Sequence, residues 1–274
     1  MKYLSAICFF NRSIYFISLQ SYQGEVAKDD FIIIKSNEFA EEVAKVSLVD
    51  QDPPDGTKWQ EGVIVRKANH KDLERFRQLR RKSFDALEKC REALESQELE
   101  MNLVDAFFSF DNQRLSFFFT AEGRVDFREF VKDLAGRFQK RILLLQIGPR
   151  DKAKHVGGFG ICGREVCCKN FLNSLKSINM DMARIQGISS WGSSKLSGQC
   201  EKLKCCLAYE EESYQAVKKK LPKEGEIVHY QGKSAKVISV DLLNQRLKIS
   251  LEGEESSFTV EADELKFKEN GKQH

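Results

Sequence analysis

"MNLVDAFFSFDNQRLSFFFTAEGRVDFREFVKDLAGRFQKRILLLQIG", residues 101–148, changes its hydrophobic period as it runs, and that change decides the fold. Two apolar runs flank "DNQR", a polar stretch suited to a tight turn, and read as paired strands. Gly123 breaks the second of them. Asp126 stands where a helix cap is needed, ahead of Phe127, Phe130, Val131, Leu134 and Phe138, which fall on one helical stripe. "RILLLQI" is short and continuously apolar, as expected of a buried central strand. The result is an α/β sandwich with helices on one side of a mixed sheet. Alternation along the strands sends Phe107 and Phe118 to the face opposite Phe108, Phe110, Phe117 and Phe119. Left open, that pair would be a stacking platform for single-stranded RNA; a covering layer, the commoner arrangement, would make it core.

Upstream, "YLSAICFF", "IYFISLQ", "DFIIIKS", "AEEVAKVSLV" and "EGVIVRK" are short apolar runs broken by turn residues, as in a small barrel or half-open sheet. "QDPPDGTKW" reads as a loop. The opening "MKYLSAICFF" is faintly like a secretory leader, but Asn11 and Arg12 cut it short and no small-x-small cleavage site follows. Two β runs around "NRS" are the better account, and a cytoplasmic chain is expected. No apolar run approaches the roughly 20 residues of a membrane-spanning helix. From about His70 to Glu100 the spacing of Leu73, Phe76, Leu79, Phe84, Leu87 and Leu94 predicts a long amphipathic helix or a helix pair. Downstream, "EEESYQAVKKKL" is helical, and "LPKEGEIV" opens a β module with turns at "QGK", "LNQ" and "EGE".

The 274 residues carry 44 basic and 41 acidic side chains, a formal +3 that does not by itself imply nucleic acid. The eight cysteines are more telling. Cys8 and Cys90 sit in apolar or amphipathic settings and read as buried structural residues. The other six repeat one phrase: "GFGICGREVCCKNF" holds Cys162, Cys167 and Cys168, and "SGQCEKLKCCLAY" holds Cys200, Cys205 and Cys206, each C-x4-C-C and offset by 38 residues. Adjacent cysteines disfavour a simple disulfide framework, and a reducing compartment points to metal or redox chemistry. Glycines on the loop admit unusual backbone angles, and Cys167 and Cys168 are expected to open a helix running through Phe171 and Leu175, whose positive end favours thiolates. Residues 150–206 contain ten Lys/Arg and four acids, a local +6.

Zinc ribbons usually present C-x2-C pairs, whereas iron–sulfur clusters accept more varied spacings, so spacing leans toward iron–sulfur and leaves zinc open. Nucleophilic catalysis would need a partner base, and only His155 lies near a cysteine in sequence. Six patterned cysteines are more than a nucleophile requires. A redox enzyme using the Cys-Cys pairs is a further class. No phosphate-binding loop, dinucleotide fingerprint or nucleophile elbow is present.

"GRVDFREFVKDLA", "QIGPRDKAKHVGGFGICGREVCCKNFL", "MARIQGIS", "KLSGQCEKLKCCLAYE" and "LPKEGEIV" together resemble the RicT/YaaT family of bacteria, whose C-terminal conserved region is named for a eukaryotic polymerase-suppressor protein. The resemblance implies a regulatory subunit rather than an enzyme. Such members act with two small helical proteins, RicA and RicF, in a complex that binds iron–sulfur clusters, stimulates messenger-RNA processing by ribonuclease Y and, in some bacteria, influences sporulation and biofilm development. The family's cysteine motif falls on Cys162, Cys167, Cys168, Cys200, Cys205 and Cys206. The implied cofactor is a 4Fe-4S cluster, one or two per chain, with ligands shared with partners; zinc is the alternative. This chain departs from the family at Ile161, where a proline is usual, and at Glu201 and Lys202, where Cys-Gly-Arg commonly repeats. Loss of that glycine puts the second loop in doubt. The class to set against a cluster-bearing adaptor is a direct RNA- or DNA-binding protein with a structural zinc or cluster site, using the basic block.

The expected fold is α+β: a β-rich N-terminal module (1–66), an α/β core (67–148), a cysteine-rich metal-binding block continuous with it (149–218) and a small C-terminal β module (219–274).

Overall fold

A computed structural model describes residues 3–51, 60–97, 99–172, 176–252 and 256–265. The fold is α+β, divided into two compact units, 1–174 together with Gln199–Lys202, and 175–198 together with 203–274.

In the first unit, β1 (Tyr3–Cys8), β2 (Ile14–Ser18), β3 (Phe31–Lys35), β4 (Glu42–Gln51) and β5 (Gln60–Lys67) close a barrel in the order β1-β2-β5-β3-β4. These are the N-terminal runs read from the sequence; of the "QDPPDGTKW" loop, all but Gln51 lies outside the described residues. Alternation places Leu4, Ala6, Cys8, Tyr15, Ile17, Ile32, Ile34, Ala44 and Val46 inside. Ile33 and Val43 face outward and pack with Phe110, which lies beyond its strand rather than on the sheet face expected of it.

The barrel leads into α1 (His70–Glu95), a single 26-residue helix. Its start is fixed by a capping box: Asn69 Oδ1 accepts from the Asp72 amide (3.0 Å), and Asp72 Oδ2 from the Asn69 amide (2.8 Å). β6 (Asn102–Phe108), β7 (Arg114–Thr120), α2 (Arg128–Phe138) and β8 (Arg141–Gln146) follow. The sheet order is β6-β7-β8, antiparallel then parallel. The central strand is therefore β7, and "RILLLQI" forms an edge. The reason is visible in burial: Leu115, Phe117 and Phe119 are fully enclosed, whereas β8 is only partly covered. Each such phenylalanine contributes ~1.5–3 kcal/mol by leaving water. Phe127 holds the cap position of α2, and Asp126 serves from one residue before it, its Oδ1 accepting the Arg128 amide at 3.2 Å.

α1 and α2 cover one face, packing Leu79, Leu87, Phe130 and Leu134 against Ala106, Phe108, Leu115, Phe117 and Phe119. α1 also serves the sheet edge: Ser83 Oγ accepts the Phe108 amide (3.1 Å), and Arg80 donates to the Ala106 carbonyl (2.8 Å). The second face is not bare. Phe107 and Phe118, 2% and 3% exposed, are core. Phe10 lies 5.4 and 5.6 Å from their rings, and His155 of α3 (Pro149–Val156) packs at a tilt 4.5 Å from Phe118. The expectation of helices on one side only is thus corrected, because a helix and barrel aromatics seal the other.

The second unit contains α5 (Met180–Ile185), α6 (Ser193–Leu196) and α7 (Cys205–Lys220), which come after α4 (Cys167–Asn170) of the first. Met182, Ala183, Leu196 and Leu207 form its first small core. β9 (Ile227–Tyr230), β10 (Lys233–Asp241), β11 (Arg246–Leu251) and β12 (Ser257–Glu261) form an antiparallel meander around Val228, Val237, Leu247, Ile249 and Val260. Gln231 and Gly232, at φ 48° and 82°, make its first turn. Gly253 and Glu254 of the expected "EGE" turn lie outside the described residues.

Candidate metal centre

The two cysteine phrases fold as one repeated turn. In the first, Gly157 ends α3 in a left-handed conformation (φ 81°), its amide donating to the Ala153 carbonyl. Phe159 then bridges Glu165 antiparallel, and the Val166 amide donates to the Gly158 carbonyl (3.0 Å). Cys162 sits at the exposed tip, Gly163 follows at φ 74°, and Cys167 and Cys168 start α4. A Cβ on Gly160 would come within 3.3 Å of Cys162 Sγ, so glycine leaves the room into which that sulfur folds back.

The second phrase repeats this 38 residues later. Ser197 bridges Leu203, and the Lys204 amide donates to the Leu196 carbonyl (2.9 Å). Lys204 (φ −59°, ψ 137°) leads into α7 as Val166 (φ −54°, ψ 127°) leads into α4. Glu201 holds the position of Gly163 at φ 60°. The lost glycine therefore leaves the loop unchanged, at a strain of ~1–2 kcal/mol.

Two sequence expectations change here. The helix after Cys167 ends at Asn170, before Phe171, and Leu175 lies outside the described residues. At four residues, α4 carries too little aligned backbone to act as a strong positive pole. Cys168 is buried, whereas Cys167, Cys200, Cys205 and Cys206 are half-buried. The tip of the second turn, Gln199–Lys202, belongs to the first unit, where Gln199 Nε2 donates to the Gly157 carbonyl (3.1 Å). A Cβ on Gly158 would strike Gln199 at 2.7 Å. Cys200 thus shares a compact unit with Cys162, Cys167 and Cys168, a grouping that depends on a backbone contact and has no sequence signature.

Among the described residues no three His, Cys, Asp or Glu side chains converge as metal ligands. The donor chemistry fits a thiolate-bound metal all the same: each turn offers three cysteines and no histidine. Three of the block's four acids are engaged by neighbours, Asp151 by Lys154 (3.0 Å), Glu165 by Lys169 (2.8 Å) and Asp181 by Arg184, which leaves the surroundings positive. Cys8 and Cys90 are different: both are fully buried, and burial pushes the Cys8 thiol far up and the Cys90 thiol up to about 12. They are core residues. His155, the one candidate base, is turned inward, its Nδ1 3.3 Å from Asp105 Oδ2.

Exposed apolar side chains surround the first turn: Val156, Phe159, Ile161 and Phe171. Nothing in the pattern of the letters marks this rim, because exposure of these four side chains is set by the turn's tertiary placement. No helix is long and apolar enough to cross a membrane among the described residues.

Residues 62–147 match the PSP1 C-terminal conserved region and residues 177–221 the third domain of PSP1-like proteins. The chain is 40% identical over 202 residues to the stage 0 sporulation protein YaaT of Bacillus subtilis, covering 74% of this chain and 73% of that protein. It is also 30% identical over 84 residues to an uncharacterized protein of Schizosaccharomyces pombe, covering 31% of this chain and 11% of that one. No solved structure matches. With the YaaT match spanning about three quarters of each protein and the PSP1 region covering the phenylalanine-rich sheet, the chain belongs to the YaaT family of PSP1-like proteins.

Proposed function

We propose that this chain is a non-catalytic regulatory subunit, cytoplasmic in location, that holds one or two iron–sulfur clusters of the 4Fe-4S type on Cys162, Cys167, Cys168, Cys200, Cys205 and Cys206. It acts with small helical proteins of the RicA and RicF kinds to control messenger-RNA processing by ribonuclease Y. The name of its Bacillus relative, a stage 0 sporulation protein, adds sporulation as a process such a subunit would serve.

The observation that carries this reading is the preserved second turn. Glu201 accepts a strained left-handed backbone and so keeps the turn that leads from Cys200 into Cys205 and Cys206 on the same backbone path as that of the first triplet. A backbone kept at that cost argues for a ligand role at both turns. Three thiols per turn fall short of the four that a cluster usually takes. A partner cysteine would complete each set, and the exposed rim of Phe159, Ile161 and Phe171 supplies apolar surface where that partner would seat. When bound, the cluster supplies a link between thiolates of different chains, so that metal state and assembly are coupled.

The test is anaerobic purification, alone and with the partners co-expressed, followed by iron, sulfide and zinc determination and by partner-affinity measurement. Iron and sulfide that rise with partners support the reading. Zinc at a fixed ratio indifferent to partners, or metal-free chain that binds partners as tightly as loaded chain, overturns it.

A further inference from the structure

We propose that α1 carries a contact site for single-stranded nucleic acid, formed by Arg77, Arg80, Arg81 and Phe84 with Arg12 beside them. The proposal is independent of the cysteines and stands or falls without them.

Between Arg75 and Phe84 the helix holds five cations and no acid. Arg77, Arg80, Arg81 and Phe84 follow i, i+3, i+4, i+7 spacing and so form one stripe. Arg77 and Arg81 are exposed, and among the described residues neither makes an ion pair. Elsewhere on α1 charges do pair, as Arg91 does with Glu88 at 2.6 Å. Phe84 is 57% exposed, and it is held in place: the Arg80 guanidinium lies 5.0 Å from its ring centroid. Arg80 is itself fixed by Asp105 (3.3 Å) and the Ala106 carbonyl (2.8 Å).

Arg12 adds a second, independent observation, a guanidinium with an unused donor beside the stripe. Among the described residues its Nε is buried without a hydrogen-bond partner, and the Phe9 ring centroid lies 5.6 Å from its guanidinium carbon. It lies close enough to Arg80 for the two to repel. Asp105 is a single negative charge beside two guanidiniums, so the group is left with positive charge to balance.

Guanidiniums fork onto phosphates, and a fixed, half-open ring accepts a base face. Arg77 and Arg81 stand ~6 Å apart along the axis, within reach of neighbouring phosphates of an extended strand. An acidic peptide would satisfy the arginines but has no use for a clamped phenylalanine, and a duplex hides its base faces in the stack.

The experiment is fluorescence anisotropy of the full chain with a labelled single-stranded oligoribonucleotide, its duplex and a polyglutamate peptide, across a salt series. Three phosphate contacts predict a log–log salt slope of about −2 for the single strand. R77Q/R81Q should flatten that slope by about 1.4. Phe84→Ser should weaken binding about tenfold and leave the slope alone. These positions are exposed, and circular dichroism checks that the variants stay folded. K202Q/K204Q, at the second cysteine turn, should change nothing. The proposal is overturned by absence of binding at low salt, by equal or better binding of duplex or polyglutamate, or by binding that K202Q/K204Q abolishes and the stripe variants leave intact.

Discussion

Asp105→Asn is the substitution that reaches furthest into the first unit. Asp105 is 15% exposed, and its two oxygens serve three donors: Oδ1 faces Arg80 (3.3 Å) and the Ala106 amide (2.8 Å), and Oδ2 faces His155 (3.3 Å). Arg80 is only 18% exposed, and Arg12 is close by. Asparagine keeps the shape and removes the charge, leaving Arg80 and Arg12 to repel across a partly dry interior. Removing one partner of such a buried group costs ~3–5 kcal/mol; residual exposure of the arginines places this case nearer ~3 kcal/mol. The pH dependence is a second signature. Burial raises the Asp105 carboxyl, but the bond to His155 and the charge of Arg80 outweigh it and hold the titration below the ordinary carboxylate range. An acid depressed in the folded state contributes stability that is present above its unfolded value and is lost as pH falls through the folded value. The gap between wild type and D105N should therefore be full at neutral pH and close in acid, where a protonated aspartic acid resembles asparagine. Urea unfolding, with hydrogen exchange of the β6 and β7 amides to report on this unit, measures it. A cost under ~0.5 kcal/mol at neutral pH, the level of an ordinary surface substitution, would refute the account of this network.

Phe117→Ala, at a fully buried ring in β7, should cost ~3–5 kcal/mol in the same assay, several times more than Phe84→Ala at the exposed ring. Glu201→Gly should leave stability level or improve it by up to ~1 kcal/mol, because relief of the left-handed strain is offset by entropy gained in the unfolded chain; Gly163→Ala, with open space about its Cβ, should lose ~1 kcal/mol from strain alone, both read from thermal unfolding. Glu42 is 1% exposed, and burial, with Asp111 adding, raises its carboxyl to about 8 against the Phe110 amide and Arg114. An acid raised in the folded state gives stability that is full below the unfolded value and is lost as pH climbs toward 8, so Glu42→Gln should flatten that decline and gain most at the alkaline end; an unchanged pH profile would contradict this.

Local pattern made much of the fold legible. The five barrel strands, α1, and the β6-β7-α2-β8 order follow from apolar period, turn residues and caps, because each is decided within a few residues of itself. What pairing does over distance was not legible. Closure of the barrel rests on β1 meeting β4 and on the parallel pairing of β2 with β5, and neither leaves a trace in either strand's composition. The same limit explains β8: its continuous apolar run reads as central, but its neighbours set its place at the edge. At the candidate site the duplicated spacing exposed all six cysteines. The left-handed Glu201 and the Gln199–Gly157 bond could not be read there, since nothing in the letters distinguishes a glutamate under strain from one at ease.

The most direct test of the central claim is iron and acid-labile sulfide per chain in anaerobic preparations of the partner complex, comparing wild type with Cys162→Ser and Cys200→Ser, one from each turn. The account predicts bound cluster in wild type and loss with either replacement, together with loss of partner affinity. Unchanged iron and sulfide in both variants, or a complex that forms as tightly without metal, would contradict it.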